Sequence, residues 1–257
     1  MPVLFMGHGS PMNAIEENEC VRGFRTIAKT LPRPKSILCI SAHWETKGTF
    51  VTAMEKPRTI HDFGGFPKAL YEIEYPAPGN PKLAEQIKQE INATDIELNR
   101  AWGLDHGAWS VVKHMYPDAN IPIIQLSLDY TKTASFHYAL GEELKFLREE
   151  GVLIIGSGNM VHNLGTLDWA HMDGAEYGYT WAIDASKKMK ELILNDDHES
   201  LKHYVDQGKT FQMAIPTPEH FLPLLYILAQ KNNDDSIEFF NDKIVGGSVG
   251  MCSMIIR

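Results

Sequence analysis

The chain has 257 residues, enough for one large α/β domain with a substantial buried core. Its formal net charge is -9, from 24 basic and 33 acidic side chains, which argues against a nucleic-acid-binding surface. No apolar run approaches the roughly 20 residues of a membrane span, and no signal-peptide pattern precedes the first apolar run. These totals predict a cytoplasmic protein, a monomer or small homo-oligomer, that binds a small molecule and neither nucleic acid nor membrane.

The three cysteines are scattered along the chain without any CxxC spacing. Cys39 and Cys252 lie inside apolar runs, and Cys20 stands apart from both. This pattern is typical of small buried hydrophobic residues in a reducing compartment. It favours neither a disulfide framework nor a zinc ribbon.

Apolar runs typical of buried strands alternate with segments of helical periodicity along the whole chain. Besides the first apolar run, which ends at Gly7, strands are predicted over residues 36–41, 50–53, 95–98, 122–126, 152–157 and 248–256. Helices are predicted over residues 16–30, 82–91, 108–115, 135–150, 181–194 and 219–229. Because right-handed crossovers place helices on both faces of a sheet, we expect an α/β three-layer sandwich with a mainly parallel or mixed central sheet. No repeat or linker divides it, so residues 1–257 are predicted to form a single domain.

The segment 56–81 differs from an ordinary connector. It contains two adjacent glycines, five prolines and four aromatic residues, which is typical of a structured loop that packs over another part of the protein. Phe66 in this loop is a candidate to cover a bound aromatic ring. His61 either contacts a substrate from this loop or is a structural histidine paired with an aspartate.

Five of the eleven histidines are predicted to lie at one edge of the sheet. His8, His43 and His162 each follow an apolar strand-like run. His106 and His220 stand at turns that open predicted helices. Because the carboxyl ends of parallel strands share one edge and the next helices begin there, we expect these five imidazoles to meet in one crevice.

Imidazole binds first-row transition metals and also exchanges protons near neutral pH, so these histidines predict a metal site, an acid–base site or both. No His-x-x-x-His pair lies on a predicted helix, which excludes the common metalloprotease pattern. Asn159 and Asn163 flank His162 and are candidates to orient it, and Asn159 is also a candidate to contact the substrate. Ser10 and Asn13 either bind the substrate or cap the following helix.

Six motifs carry these residues, in the order GHGSPMN (7–13), SAHW (41–44), TIHDFGGFP (59–67), WGLDHGAW (102–109), SGNMVHNL (157–164) and PTPEHFLPLLY (216–226). Together they resemble the class III extradiol ring-cleavage dioxygenases, with the best match in the 4,5-DOPA dioxygenase branch. The motifs extend from the first strand to the last in the family's order, which makes the resemblance specific. It implies that residues 1–257 form a single catalytic domain of this family.

The resemblance implies a mononuclear, non-haem metal centre that uses Fe(II) in catalysis, although the isolated protein is also suited to carry Zn(II). Its ligands would be His8, His43 and His220. His162 would be the acid–base residue, close enough to the metal to serve as a fourth ligand. His106 would bind the substrate or an oxygen-derived intermediate.

The implied reaction is the opening of a catechol ring, such as that of DOPA, by O2 to give a semialdehyde, with His162 taking and returning a proton. Glu219 stands beside His220, and ligand hardness alone does not decide which of the two binds the metal, although the resemblance favours His220. Two other functions stay open. One is a zinc-dependent hydrolase with His162 or Glu219 as the base, and the other is a non-catalytic, Memo-like binding protein.

Overall fold

A computed structural model describes residues 1–172 and 175–257 of the chain, and an eight-stranded sheet lies at its centre. The described residues form ten strands. The strands are β1 (Val3–Gly7), β2 (Ser36–Thr46), β3 (Thr49–Thr52), β4 (Ile96–Asn99), β5 (Ile123–Asp129), β6 (Val152–Gly158), β7 (Ile237–Phe240), β8 (Ile244–Val245), β9 (Val249–Gly250) and β10 (Ser253–Ile256). The two-residue strands β8 and β9 make a separate two-stranded sheet. The α-helices are α1 (Glu19–Thr30), α2 (Lys68–Tyr71), α3 (Pro81–Glu90), α4 (His106–Met115), α5 (Ala134–Glu143), α6 (Phe146–Glu149), α7 (Thr180–Leu194), α8 (His198–Lys202), α9 (Lys209–Ala214) and α10 (Leu222–Leu228). Short 3-10 helices cover Pro11–Ala14, Leu164–Thr166, Trp169–His171 and Tyr204–Asp206.

The strand order of the large sheet is β4-β3-β5-β2-β6-β1-β10-β7. The central strands β5, β2, β6 and β1 run parallel to one another, as do β3 and β4. Strand β10 is antiparallel to both β1 and β7, and β3 is antiparallel to β5. The predicted α/β sheet is therefore confirmed as a mixed sheet, and the carboxyl ends of its four central strands share one edge.

Strand β1 illustrates why helices cover both faces of this sheet. Its residues are all buried, and alternate side chains point to opposite faces. Val3 and Phe5 pack in one apolar cluster with helices α3, α5, α7, α9 and α10, whereas Leu4 and Met6 pack in another with α1 and α4. Burying a side chain such as Phe5 in this way stabilises the fold by about 1.5–3 kcal/mol. The predicted three-layer arrangement is confirmed.

None of the helices in the described part of the chain has the length and apolarity that crossing a bilayer requires.

The predicted helix over 135–150 is interrupted, since α5 ends at Glu143 and α6 begins at Phe146. The short edge strand β7 was not predicted, because its four residues give too brief an alternation to distinguish it from a loop.

The second strand is longer than predicted, and this changes the place of His43. Strand β2 continues to Thr46 instead of stopping at residue 41. Its pairing with β5 shifts register between Ile40 and Glu45, as at a β-bulge. His43 therefore lies within the irregular end of the strand and not in a loop after it.

The predicted helix over 219–229 begins later, at Leu222. The Thr217 hydroxyl donates to Glu219 Oε1 at 2.9 Å and does not cap the helix, while the Phe221 and Leu222 amides both donate to the Pro218 carbonyl. Residues 217–221 thus form a turn. His220 lies in this turn, before the helix, and its backbone is held to the end of β6.

The buried His137 in α5 makes the stability of the core depend on pH. Its side chain is fully buried, with Nδ1 2.9 Å from the Tyr226 hydroxyl. Burial lowers the pKa of His137 from 6.5 to about 4. The unfolded chain thus binds a proton below pH 6.5 that the folded protein excludes until about pH 4, so stability should fall as the pH drops through this window, by about 2 kcal/mol at pH 5.

Urea unfolding at pH 7 and pH 5 measures this effect. The His137→Gln variant should lose about 2 kcal/mol less stability on acidification than the unmodified protein, because the titrating ring is gone. Equal losses in the two proteins would contradict the assignment of this acid sensitivity to His137.

Candidate metal centre

The five predicted histidines meet at the carboxyl edge of the central strands. The ring centroids of His8, His43 and His220 lie 5.0 to 5.3 Å apart. The His106 ring lies 3.9 Å from that of His43. The His162 ring stacks on that of His220 at 3.5 Å with an interplanar angle of 12°. Segments that are far apart in sequence therefore build one cluster of imidazoles.

Three of these rings offer a donor set for one metal ion. One nitrogen each from His8, His43 and His220 lies within 4.8 Å of the others, and the Nε2 atoms of His8 and His43 are 3.1 Å apart. Imidazole nitrogens in this number suit iron, zinc, copper or nickel. The set fits a transition metal by the chemistry of its donors.

The hydrogen bond at Nδ1 of His8 indicates which of the two ring nitrogens keeps a lone pair for a metal. Nδ1 of His8 lies 3.0 Å from the Ser157 hydroxyl, and that hydroxyl donates its single hydrogen to the Gly107 carbonyl at 2.5 Å. The Ser157 oxygen therefore accepts a hydrogen bond from Nδ1–H. This tautomer leaves the lone pair of His8 Nε2 for a metal.

Carboxylates fix the other two rings in the same way. Nδ1 of His220 lies 3.1 Å from Glu219 Oε1, and Nδ1 of His43 lies 3.3 Å from Asp62 Oδ2. An ionised carboxylate only accepts hydrogen bonds, so both rings carry their hydrogen on Nδ1 and leave Nε2 free.

Two overlapping groups of possible ligands have similar spacing, His43 with Asp62 and His106, and His162 with Glu219 and His220. In each group the carboxylate already accepts from a ring N–H. These contacts favour the three-histidine set and give the carboxylates the role of holding the ligands in place.

Burial keeps four of the five rings neutral. It lowers the pKa of His43 to about 3 and that of His162 to about 4. It also lowers the pKa of His8 and His220 far below the usual range, and the neighbouring histidines add to this effect. Neutral imidazole is the form that binds metals, so the site is ready to take up an ion at pH 7.

Asp62 is a site residue that the sequence analysis missed. Its Oδ2 accepts from His106 Nδ1 at 2.9 Å, and its Oδ1 accepts from the His106 backbone amide at 2.9 Å. Burial raises the pKa of Asp62, but the hydrogen bonds and charge of His106 outweigh this effect and lower it overall. The sequence signal was the acidic residue directly after His61, yet Asp62 pairs with His106 and not with its neighbour.

A cavity of about 250 Å³ opens onto the histidines. Apolar side chains form most of its wall, namely Phe63, Phe66, Leu164, Leu167, Trp169, Met172 and Val249. The five histidines, Asp62 and Ser10 supply its polar groups. Phe63 and Phe66 come from the loop 56–81, which does pack over the site as predicted. A flat aromatic ligand suits this combination of apolar walls and a few convergent polar groups.

Ser10 and Asn13 have structural hydrogen bonds beside the site. The Ser10 hydroxyl lines the cavity and accepts from the Met12 amide at 3.2 Å, which caps the first 3-10 helix. The Asn13 side chain donates to the His8 carbonyl and accepts from Asn18. Asn13 does not line the cavity at the histidines, and its side chain caps no helix but links His8 to Asn18. Its contact with a substrate stays a prediction.

His61 and Asn159 are likewise not among the residues that line this cavity, and their substrate contacts stay predictions. The His61 ring interacts through Nε2 with the Ile73 carbonyl at 3.0 Å. The buried Asn159 side chain donates to the Gly250 carbonyl at 2.8 Å. Asn163 donates to a backbone carbonyl rather than to the neighbouring imidazole. All three side chains are thus engaged by the backbone.

Gly158 holds the turn that carries His220 against the sheet. A Cβ atom at Gly158 would lie 2.1 Å from the His220 carbonyl oxygen, which also accepts from the Asn159 amide at 2.9 Å. Gly158→Ala should displace this turn, lower stability by about 1–3 kcal/mol and weaken metal binding.

Urea unfolding and Zn(II) titration of the purified variant measure both effects. Gly64→Ala is the matched control, because a Cβ there meets nothing within 4 Å. If Gly158→Ala keeps the stability and metal affinity of the Gly64 variant, this account of the turn is wrong.

Comparison with known proteins agrees with this geometry. Residues 2–253 match the family described as the catalytic LigB subunit of aromatic ring-opening dioxygenase. A relative from Escherichia coli K12 named 4,5-DOPA dioxygenase extradiol is 46% identical, covering 100% of this chain and 94% of the relative. A relative of the same name from Beta vulgaris is 36% identical, covering 95% of this chain and 91% of the relative.

A solved structure has the same fold over its full length. The crystal structure of an uncharacterized protein from Escherichia coli K12 superimposes with a TM-score of 0.86 at 40% sequence identity, and each chain is covered completely. Family match, relatives and fold all agree with the six sequence motifs. The chain therefore belongs to the LigB family of extradiol aromatic ring-opening dioxygenases, as those motifs predicted.

Proposed function

We propose that this enzyme opens the ring of a catechol such as DOPA with O2, at a single Fe(II) ion held by His8, His43 and His220. The observation that carries the proposal is the convergence of these three neutral rings, each with Nδ1 engaged and Nε2 left for the metal. The names of the Escherichia coli and Beta vulgaris relatives support a catechol of the DOPA type. The apolar cavity beside the rings supports an aromatic substrate.

When bound, the metal supplies neighbouring positions for the catechol oxygens and O2 and lets electron density pass between them. His162 lines the cavity, and its lowered pKa of about 4 leaves the ring neutral at pH 7. It can therefore take a proton from a catechol hydroxyl and return it later in the reaction. Its stacking on His220 places this ring beside the metal ligands.

His106 and the aromatic loop complete the proposed substrate site. Asp62 accepts the hydrogen of His106 Nδ1, which leaves His106 Nε2 as an acceptor for a substrate hydroxyl. Phe63 and Phe66 cover the cavity and exclude water from the ring.

Metal replacement tests the reaction. The protein is stripped with a chelator, reloaded anaerobically with Fe(II) or Zn(II), and then given O2 with a panel of catechols. Oxygen uptake and the yellow semialdehyde should appear with the Fe(II) form and not with the Zn(II) form. Three neutral imidazoles should nevertheless bind Zn(II) as well.

Two outcomes would overturn this proposal. Ester or amide hydrolysis by the Zn(II) form, without oxygen uptake by the Fe(II) form, would indicate a hydrolase. Stable Fe(II) binding without turnover of any catechol in the panel would indicate a non-catalytic binding protein.

The sequence predictions of one catalytic domain over residues 1–257, a cytoplasmic location and a monomer or small homo-oligomer remain part of the proposal. The buried, free thiols of Cys20, Cys39 and Cys252 support a reducing compartment. The family match over residues 2–253 supports the single domain.

A further inference from the structure

Asp62 lies between two imidazoles, and both of its carboxylate oxygens have assigned donors. Oδ2 accepts a hydrogen bond from His106 Nδ1 at 2.9 Å and lies 3.3 Å from His43 Nδ1, an ion-pair distance. Oδ1 accepts from the His106 backbone amide at 2.9 Å. The Asp62 side chain is only 16% exposed, so little water competes for these bonds. A backbone amide can only donate, so the atom that faces it has to be an acceptor.

We infer that Asp62 is a positioning residue that sets the tautomer of His43 and His106 together. The hydrogen bond fixes Nδ1–H on His106, and the negative oxygen beside His43 Nδ1 favours hydrogen on that nitrogen too, so both rings offer their Nε2 lone pairs. The inference rests on the proposed function, in which His43 binds the metal and His106 faces the substrate. One side chain thus prepares both the metal and the substrate sides of the site.

The other two supports of the metal ligands differ from Asp62 in this respect. Ser157 holds the His8 ring and Glu219 holds the His220 ring, one support for each ligand. Asp62 instead serves two rings whose centroids are 3.9 Å apart. Its loop also contributes Phe63 to the cavity wall. Movement of this loop would therefore disturb a metal ligand and a substrate contact at once.

Replacing one carboxylate oxygen of Asp62 with an amide NH2 group tests which ring nitrogen carries the hydrogen. In Asp62→Asn the carbonyl oxygen stays with the His106 backbone amide, which leaves the NH2 group facing both Nδ1 atoms. That group donates, so it favours rings that carry hydrogen on Nε2, the nitrogen the metal needs. If the amide flips instead, its NH2 group faces the His106 backbone N–H. Both groups are donors, so this orientation is disfavoured. Asp62→Ala removes the acceptor without adding a donor. Each ring can then carry its hydrogen on either Nδ1 or Nε2.

Zn(II) affinity, measured by competition with a chromophoric chelator, should fall about 10–100-fold in Asp62→Asn. It should fall less in Asp62→Ala, although alanine is the larger truncation. A purely structural role predicts the reverse order. Asp168→Asn is the matched control, because Asp168 Oδ2 accepts from His171 Nδ1 at 2.8 Å outside the histidine cluster, and its Zn(II) affinity should stay unchanged.

Long-range 1H–15N spectra of the metal-free protein at pH 7 report the tautomers directly. His106 should carry Nδ1–H in the unmodified protein, Nε2–H in Asp62→Asn and a mixture in Asp62→Ala. An Asp62→Ala variant that keeps pure Nδ1–H, or one that binds Zn(II) no better than Asp62→Asn, would overturn the inference. The Asp62→Ala spectra decide the matter even if Asp62→Asn does not fold.

Neither measurement uses O2 or a catechol. A failure of the proposed ring-opening reaction would therefore leave these results intact. A failure of the tautomer prediction would likewise leave the reaction untouched.

Discussion

Alanine in place of His220 should lower metal affinity and ring opening by about 100-fold or more, whereas Glu219→Gln should lower them about 10-fold or less. His220 offers its Nε2 to the donor set, while Glu219 reaches it only through the 3.1 Å hydrogen bond to Nδ1. Glutamine keeps an oxygen that can accept this bond. Metal content after dialysis and oxygen uptake with a catechol measure both variants.

The comparison decides between the two adjacent candidates for the third ligand. His203→Ala is the control, since that histidine is exposed and bonds to the Glu199 carbonyl away from the site. A Glu219→Gln protein that loses its metal, beside a His220→Ala protein that keeps it, would assign the ligand to the carboxylate.

Replacement of His162 should separate chemistry from metal binding. His162→Ala is expected to retain most of the metal, because His8, His43 and His220 offer their nitrogens without it. Ring opening should fall about 10²–10⁴-fold, the usual contribution of a positioned acid–base group. Metal content, catechol binding to the anaerobic protein and turnover are measured on the same sample.

A loss of metal in His162→Ala that matches the loss in His220→Ala would give His162 the role of a ligand. Full turnover in His162→Ala would remove it from the chemistry altogether. His203→Ala again supplies the baseline, as a histidine with no contact to the five-ring cluster among the described contacts.

The sequence predicted those parts of the fold that depend on local pattern. The apolar run of β1 and the glycine after it placed His8 at the end of a buried parallel strand, as found. The convergence of five histidines followed from the shared edge of such strands. Boundaries were less certain where polar residues continue a strand, as at His43, or where a turn precedes a helix, as at residues 217–221.

The residues that orient the histidines could not be predicted in this way. Ser157 lies 149 residues from His8, and Asp62 lies 44 residues from His106. Their pairing depends on how loops and strands pack, which no local periodicity records. His61 and Asn159 show that closeness in sequence to a site residue does not determine what a side chain bonds to, since both bond to backbone carbonyls.

The spread of the three donor histidines along the chain has a consequence for how the enzyme is made. His220 leaves the ribosome long after His8 and His43, and β1 must still pair with β10 at the far end of the chain. A nascent chain therefore has no complete set of donors to hold an ion. For the proposed three-histidine site, we therefore expect metal loading to follow translation, with the fraction of active enzyme set by the metal available to the finished molecule.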